Sequence, residues 1–242
     1  MKRALLVISL AATTALLPTW SHADLTFNAG AVTDYRYRGI SQTNFKPALQ
    51  GGVDFSQGPF YLGAWASSIK WIHHFNGGAD VELDLYGGVK GELSKGLGYD
   101  VGVLAYIYPS NHLSPNANTT ELYGALSFGP VTAKYSHALS NTFGNPDSKN
   151  SGYLDLSASF ELGDGWTLAP HLGHQRIAGP VRSAASYTDY SLSLSKDFNG
   201  IVPSLALVGT DADKGFYVPG PAASSTKFLG KTALVLGVKV NF

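Results

Sequence analysis

The sequence predicts an all-β chain, namely an antiparallel up-and-down transmembrane β-barrel of about 12 strands. Three observations predict it: a carboxy-terminal segment with one apolar face, alternation of apolar and polar residues along most of the chain, and a strict exchange of short and long connections. Successive side chains of a strand point to opposite faces, so alternation with period two indicates a sheet with two different faces. In an outer-membrane barrel the apolar face contacts lipid and the polar face lines the interior.

The amino terminus has the form of a secretory signal peptide. Lys2 and Arg3 precede an apolar run at residues 4–17, which is too short to anchor the chain across a bilayer about 30 Å thick. Ser21-His22-Ala23 fits a small-x-small cleavage site, so we expect cleavage after Ala23 rather than a retained anchor. The expected units are a signal peptide at residues 1–23 and an outer-membrane β-barrel at residues 24–242.

Composition narrows the class of function. The chain has no cysteine, so an exported protein with this sequence has neither disulfides nor thiol chemistry. Without the signal peptide, Lys and Arg fall from 17 to 15 against 17 Asp and Glu, a net charge of about −2. This balance lacks the basic excess of a nucleic-acid-binding protein. No later segment reaches the roughly 18 apolar residues of a transmembrane helix.

The predicted strands follow one another with little between them. The clearest lies at residues 80–90, where Val81, Leu83 and Leu85 alternate with Glu82 and Asp84. The segment at residues 60–67 is apolar on both faces and is the least decided. The twelve predicted strands lie near residues 25–38, 48–56, 60–67, 80–90, 99–108, 121–128, 131–136, 154–161, 166–175, 189–195, 203–210 and 232–242.

The last strand carries a further signal. Its apolar face consists of Leu234, Leu236, Val238, Val240 and Phe242. An apolar strand ending on an aromatic residue resembles the terminal signal by which Gram-negative barrels are recognised for insertion. We therefore expect the barrel-assembly machinery as a partner through this strand, and outer-membrane lipid and lipopolysaccharide around the barrel.

The connections support the same topology. Short turns rich in glycine, proline, aspartate and asparagine follow every second strand, at residues 57–59, 93–98, 129–130, 163–165 and 199–200. Longer links lie between them, and in outer-membrane barrels the long loops face outward. Aromatic residues flank the short turns, as expected of an interfacial girdle. A soluble β-sandwich is the alternative fold, but it does not explain the signal peptide, the terminal Phe242 and the turn-side aromatic residues together.

Three blocks carry a family resemblance. They are Tyr35-Arg36-Tyr37-Arg38-Gly39-Ile40-Ser41-Gln42-Thr43, Pro47-Ala48-Leu49-Gln50-Gly51-Gly52-Val53-Asp54 and Glu82-Leu83-Asp84-Leu85-Tyr86-Gly87-Gly88. Together they resemble the TorF family of proteobacterial porins over essentially the whole mature chain. The resemblance implies an outer-membrane pore, and it implies neither a substrate nor catalytic residues.

The polar strand faces lean acidic, which predicts a lumen that concentrates cations. Two interpretations stay open: an open or partly open pore, or a barrel plugged by its own side chains. Eight-stranded barrels are filled by side chains and sixteen-stranded barrels hold a channel, and a twelve-stranded barrel is intermediate in width. Arg36 and Arg38 could face the acidic residues Asp80, Glu82 and Asp84 across the pore. Alternatively, the charged residues of the interior could pair with one another in a lattice of salt bridges. The predicted pore-lining residues are Asp34, Arg36, Arg38, Asp54, Asp80, Glu82, Asp84, Asp100, Glu121 and Asp155.

The sequence favours passive diffusion of small hydrophilic solutes through an outer-membrane channel that needs no cofactor. A closed structural or adhesive barrel is the alternative, and an outer-membrane hydrolase is less favoured. The nearest serine–histidine candidate is His137 with Ser136 or Ser140, and side chains that are neighbours along a strand do not converge. His73 and His74 alternate faces in the same way, so a loop plug or an outer tip is favoured over a metal site.

Overall fold

The structure is a computed structural model that describes residues 23–242. Apart from Ala23 the expected signal peptide lies outside the described residues, and its cleavage stays a prediction. In the described part, strands dominate and the two helices are one turn long. The elements are β1 (Asp24–Val32), β2 (Arg36–Tyr37), β3 (Ile40–Ser41), β4 (Ala48–Gln57), β5 (Phe60–Ser68), α1 (Trp71–His74), β6 (Val81–Ser94), β7 (Leu97–Ile107), β8 (Thr119–Phe128), β9 (Val131–Ala138), β10 (Gly152–Ala158), β11 (Phe160–Gly163), β12 (Trp166–Arg176), α2 (Arg182–Ala185), β13 (Tyr187–Lys196), β14 (Ile201–Thr210) and β15 (Ala233–Asn241).

The barrel is closed and has twelve strands, as the sequence predicts. Each strand pairs antiparallel with its neighbours in the chain, while β10 and β11 are two parts of one barrel strand and both pair with β12. The first strand, β1, pairs with β4 on one side and with the last strand, β15, on the other. Closure leaves the barrel sheet without an open edge, which is the condition for placing strands in lipid. The two remaining strands, β2 and β3, lie outside the barrel sheet and pair only with each other.

One end of the barrel carries the short turns and the other carries six loops. We call these ends the turn end and the loop end, and the loop end is the outer one by the usual orientation of such barrels. The loops are loop 1 (33–47), loop 2 (69–80), loop 3 (108–118), loop 4 (139–151), loop 5 (177–186) and loop 6 (211–232).

The outer wall is apolar and exposed. Leu49 is 74% exposed and Leu234 is 65% exposed, values that would be costly in water for so many large apolar side chains. Strand alternation places these side chains outward on every face of the barrel. This continuous apolar surface is that of a barrel that spans a bilayer. Its members include Leu62, Leu85, Val101, Leu122, Leu126, Leu154, Leu156, Leu172, Leu192, Leu205, Leu207 and Leu236. Among residues 23–242 no helix is long and apolar enough to cross a membrane.

Aromatic side chains ring the turn end. Phe60, Phe128 and Phe242 are 65, 68 and 70% exposed, and the ring of Phe242 stacks on that of Phe27 at 6.1 Å. An aromatic girdle at this height matches a membrane interface. Tyrosines near the opposite end do not form an outward ring, because they are buried inside the barrel or its loops. They are Tyr35, Tyr108, Tyr153 and Tyr187.

The first predicted strand is too long. The sequence predicts a strand at residues 25–38, whereas β1 ends at Val32, the last residue that pairs with both neighbours. The following residues turn into the barrel instead of continuing its wall. Alternation alone could not reveal this, because the inward segment forms a small hairpin of its own and keeps the same period.

Candidate functional site

A hairpin inside loop 1 occupies the loop end of the barrel. It consists of residues 34–43 and we call it the inner hairpin. Arg36–Tyr37 pairs with Ile40–Ser41 across a two-residue turn at Arg38 and Gly39. Both turn residues have positive φ, 45° at Arg38 and 78° at Gly39, as the tight type I′ turn requires. Glycine adopts this conformation freely, whereas arginine does so at a cost of about 1–2 kcal/mol. Contacts elsewhere must therefore hold Arg38 in place.

A buried carboxylate holds the hairpin ends together. The Asp34 carboxylate accepts hydrogen bonds from Arg36 Nε at 2.5 Å, from Ser41 Oγ at 2.5 Å and from Thr43 Oγ1 at 3.2 Å. Asp34 is 6% exposed, so its charge is compensated by these partners rather than by water. The hairpin is thus a locally defined unit. Arg36 and Asp34 form an ion pair within it and do not face an open lumen.

Hydrogen bonds to backbone carbonyls fasten the inner hairpin to two other loops. Ser41 donates its N–H to the carbonyl of Leu229 in loop 6 at 3.0 Å, and Arg36 Nη1 donates to that of Lys231 at 3.0 Å. Lys70 of loop 2 donates its N–H to the carbonyl of Gln42 at 2.8 Å. Loops 1, 2 and 6 therefore form one connected layer over the mouth.

The two faces of the hairpin contact opposite walls. Tyr35 packs its ring against Trp65 of β5 and donates its hydroxyl hydrogen to Glu82 of β6 at 2.5 Å. On the other face Ile40 is buried against Tyr187 of β13 and residues of loop 6. The hairpin thus spans the width of the mouth.

The hairpin tip is latched to the far wall through Arg38. Its Nη2 donates to Glu121 Oε2 of β8 at 2.7 Å, and its Nη1 donates to Gln175 Oε1 of β12 at 2.5 Å. The guanidinium also lies over the ring of Tyr153 of β10 at 4.1 Å and over that of Tyr37 at 4.8 Å. We call this set of contacts the Arg38 latch. The side chains of Arg38 and Glu121 are only 6 and 3% exposed, so the pair is shielded from water and from salt.

Protonation states in the hairpin suit the latch. Burial alone would lower the pKa of Arg38, but the Glu121 carboxylate outweighs it and the pKa of the guanidinium is raised well above its ordinary value. Burial and the Glu82 carboxylate raise the pKa of the Tyr35 hydroxyl well above its ordinary value. Arg38 therefore stays charged and Tyr35 stays protonated as a donor throughout the physiological pH range.

Below the hairpin, towards the turn end, the inner wall is polar and only half-buried. Tyr86 donates to Asp54 Oδ1 at 2.5 Å, and Tyr61 donates to Asp100 Oδ1 at 2.5 Å and contacts the hydroxyl of Tyr123. Lys90 and Lys134 lie over the rings of Tyr61 and Tyr123, at 5.3 and 3.8 Å. This half of the lumen carries fixed charges on a hydrogen-bonded wall, the surface that passing ions and polar solutes require.

A second charged cluster lies on the wall beside the latch. His171 of β12 lies between two carboxylates, with Nδ1 at 3.1 Å from Asp155 and Nε2 at 2.9 Å from Asp189. Tyr153 donates its hydroxyl hydrogen to Asp189 Oδ2 at 3.0 Å, which orients the ring that supports Arg38. The cluster thus connects three neighbouring strands to the latch. Within residues 23–242 no group of three or more His, Asp or Glu residues is arranged to hold a metal ion.

The structure separates the predicted pore-lining residues into three groups. Asp34, Arg36 and Arg38 belong to the inner hairpin. Asp80 lies in loop 2, half-exposed and bound to Lys70 at 2.9 Å, and so lies outside the barrel wall. The acidic wall residues are Asp54, Glu82, Asp84, Asp100, Glu121 and Asp155.

Arg36 and Arg38 do not face the acidic residues across an open pore. Arg38 meets Glu121, Arg36 meets Asp34, and neither contacts Asp80. For these residues the geometry favours the salt-bridge lattice. Sequence reasoning missed Tyr35, Tyr153 and Gln175 as members of the site. The signal that could have revealed the hairpin is Arg38-Gly39 between short alternating runs, which is typical of a two-residue turn.

His137 and its candidate serines do not converge, since Ser140 Oγ is hydrogen-bonded to the backbone of Thr120 and Asn141. His137 points outward from β9 and its Nε2 lies 3.2 Å from Asn150 Oδ1, while Ser136 points inward and is buried. His73 and His74 form part of α1 within loop 2, and the neighbouring Ile72 of the same helix is fully buried. The carbonyl of His74 accepts a hydrogen bond from Ala222 of loop 6 at 2.9 Å. Loop 2 therefore contributes to the cover over the mouth.

A family model matches residues 18–242, nearly the whole chain. The chain belongs to the Gcw_chp family. This family is described as bacterial proteins of unknown function. No curated protein matches the sequence. Among solved structures, this Gcw_chp chain is similar to the KdgM porin, with a TM-score of 0.57 and 8% identity over 90% of this chain and 98% of that one. It is also similar to the NanC porin, with a TM-score of 0.56 and 11% identity over 90% of this chain and 99% of that one. At such identities the likeness shows the shared barrel fold.

Proposed function

We propose that this chain is an outer-membrane channel for passive diffusion of small hydrophilic solutes, and that the inner hairpin closes it in the present conformation. The observation that carries the proposal is the closed twelve-stranded barrel with an apolar outer wall and a charged, half-buried inner wall. The resemblance to the TorF porins supports the same function.

The proposed channel favours cations. On the inner wall carboxylates outnumber lysines, and Asp54 and Asp100 lie in the half that the hairpin leaves open. A lumen of one dominant sign concentrates ions of the opposite sign between low-dielectric walls. Lys90 and Lys134 weaken this cation preference, because they place positive charges on the same wall, over the rings of Tyr61 and Tyr123.

A closed structural barrel is the second candidate. The observation that favours it is the mouth layer itself, in which loops 1, 2 and 6 are joined by hydrogen bonds and the Arg38 latch is buried. In that case the hairpin is a permanent plug that stiffens the barrel. The exposed loop surfaces would then carry the function.

Single-channel recording separates the two candidates. The chain from residue 24 to 242 is refolded, its folding is verified by heat-modifiable electrophoretic mobility, and it is recorded in planar bilayers under a KCl gradient. Discrete conductance steps with a cation-selective reversal potential support the channel. Folded wild-type protein that is silent, together with equally silent variants of the hairpin, contradicts it and favours the closed barrel.

We also propose that β15 directs assembly of the barrel. It pairs with β1 to close the circle, and Phe242 exchanges backbone hydrogen bonds with Phe27 at 2.8 and 3.0 Å. The terminal strand thus completes the circle of hydrogen bonds in the barrel wall. Removing the aromatic end with Phe242→Ser should slow insertion by purified barrel-assembly machinery, whereas an unchanged insertion rate would contradict this partner.

A further inference from the structure

We propose that the wall pocket now filled by Arg38 is a binding site for guanidinium-bearing solutes, which take the place of Arg38 when the inner hairpin withdraws. The inference rests on the proposed channel and names a class of solute for it. The guanidinium of Arg38 thus acts as a built-in occupant of the site.

The pocket belongs to the barrel wall and not to the hairpin. Glu121, Tyr153 and Gln175 come from β8, β10 and β12, strands that are held by the ladder whether or not the hairpin is present. Wall contacts also orient two of the three side chains. Gln175 Nε2 donates to the carbonyl of Gly152 at 3.1 Å, which turns Oε1 towards Arg38, and the Tyr153 hydroxyl is bound to Asp189. A pocket with side chains oriented in advance binds a replacement ligand at a lower entropic cost.

The geometry matches a guanidinium group better than an ammonium group. Two acceptors, Glu121 Oε2 and Gln175 Oε1, receive the two terminal nitrogens of Arg38, and the planar group lies over the Tyr153 ring at 4.1 Å. A guanidinium presents a rigid planar fork and stacks on aromatic faces, whereas an ammonium is a compact, strongly hydrated point charge without a planar face. The pocket therefore discriminates by shape as well as by charge.

An emptied pocket would need a new cation. Glu121 is 2% exposed, and without Arg38 its remaining hydrogen bond is a long one of 3.3 Å from the Tyr106 hydroxyl. Lys134 of β9 also interacts electrostatically with this carboxylate, from its position over the Tyr123 ring and not in a direct ion pair. A buried carboxylate that has lost its ion-pair partner is unfavourable, so hairpin withdrawal favours entry of a cation from outside. Nearby on β6, Asp84 Oδ1 is buried without a hydrogen-bond partner among the described residues and offers a further acceptor. A solute that binds only the open state also shifts the population towards that state.

The test uses Arg38→Ala, which leaves the wall intact and removes the occupant. Residue 38 lies outside the barrel strands, so the variant is expected to refold, and Arg38→Gln is measured beside it to keep part of the side-chain stem without the charge. The probes are methylguanidinium and methylammonium chloride at millimolar concentrations. The readouts are the temperature at which the folded band is lost in electrophoresis and the blockade of single-channel current.

We expect methylguanidinium to stabilise Arg38→Ala at concentrations about tenfold lower than methylammonium, since one further charge-assisted hydrogen bond accounts for a factor of this order. The effect should disappear in Arg38→Ala with Glu121→Gln. It should persist in the charge-matched control, Arg38→Ala with Asp100→Asn, which removes a wall carboxylate on the turn side of the latch. Wild-type protein should need far higher concentrations, because Arg38 competes.

Equal stabilisation by the two cations, or stabilisation that survives Glu121→Gln, would overturn the site. The failure of the channel proposal has a different signature. In that case methylguanidinium stabilises the folded variant through Glu121, but no conductance is recorded from any hairpin variant.

Discussion

Gly39→Ala tests most directly whether the inner hairpin closes the barrel. Gly39 has φ of 78°, and a Cβ built on it lies 2.8 Å from Cβ of Asp189 on the wall of β13 and close to the Thr210 side chain. Both neighbours belong to the barrel wall, so the added methyl group cannot be accommodated by a flexible surface chain. The substitution therefore acts on the closed position of the hairpin and leaves the barrel ladder untouched.

The magnitude has two parts. Alanine in the left-handed region costs about 1–2 kcal/mol relative to glycine. Insertion of a methyl group into a filled space costs typically about 1–3 kcal/mol. Together they disfavour the closed position by roughly 3 kcal/mol, which lowers the closed-to-open ratio by about 150-fold. A wild-type channel closed for about 99% of the time would then be open for roughly 60% of it.

The assay is the open-time fraction in planar bilayers at fixed voltage. Gly163→Ala is the matched control, because Gly163 also has a positive φ, 91°, but a Cβ there meets nothing within 4 Å. This variant should fold slightly less stably and conduct like the wild type. If folded Gly39→Ala has the same open fraction as the wild type, the hairpin is not the gate. Equal increases in both variants would show that general loosening of the barrel is responsible.

Three further predictions concern the latch, the lumen and the tyrosine wall. Glu121→Gln leaves Arg38 without its anionic partner, and breaking such a buried pair costs about 3–5 kcal/mol. The fraction of time for which the channel is open should therefore rise at least as much as in Gly39→Ala. An unchanged open fraction would argue against the latch. Asp54→Asn should move the reversal potential in a KCl gradient towards zero by weakening cation selectivity, whereas Asp80→Asn, on loop 2 outside the wall, should leave it in place. Tyr61→Phe removes the hydroxyl that binds Asp100 and should change ion selectivity little. It should lower the unfolding temperature by a few degrees, as expected for the loss of about 1–2 kcal/mol in a hydrogen bond to a charged group. An unaltered unfolding temperature would show that this bond adds no stability.

Much of the fold was predictable because its determinants are local. A strand with one face in lipid must alternate, and Val81 to Leu85 show that pattern without reference to any other part of the chain. Glycine- and asparagine-rich turns such as Asn199-Gly200 mark where the chain reverses, since both residues adopt positive φ at low cost. Strand number and order follow once each turn joins neighbouring strands.

The site was only partly predictable. The charged residues that line it stand out in the sequence, but the partner of each does not. Arg38 meets Glu121 and Gln175, which lie 83 and 137 residues further along the chain. Periodicity gave the same expectation for residues 34–38 as for the strand before them, because a hairpin inside the lumen alternates as a wall strand does.

By itself the sequence determined the alternation of the wall strands and the positions of the turns, because these depend on side chains close together in the chain, and it predicts the export signal at residues 1–23. Only the tertiary structure decided that loop 1 enters the barrel and that Asp80 stays outside it. The reason is that closure brings β8, β10 and β12 opposite the inner hairpin, and the depth to which the hairpin inserts depends on burying Arg38 against carboxylate, amide and aromatic groups from all three strands.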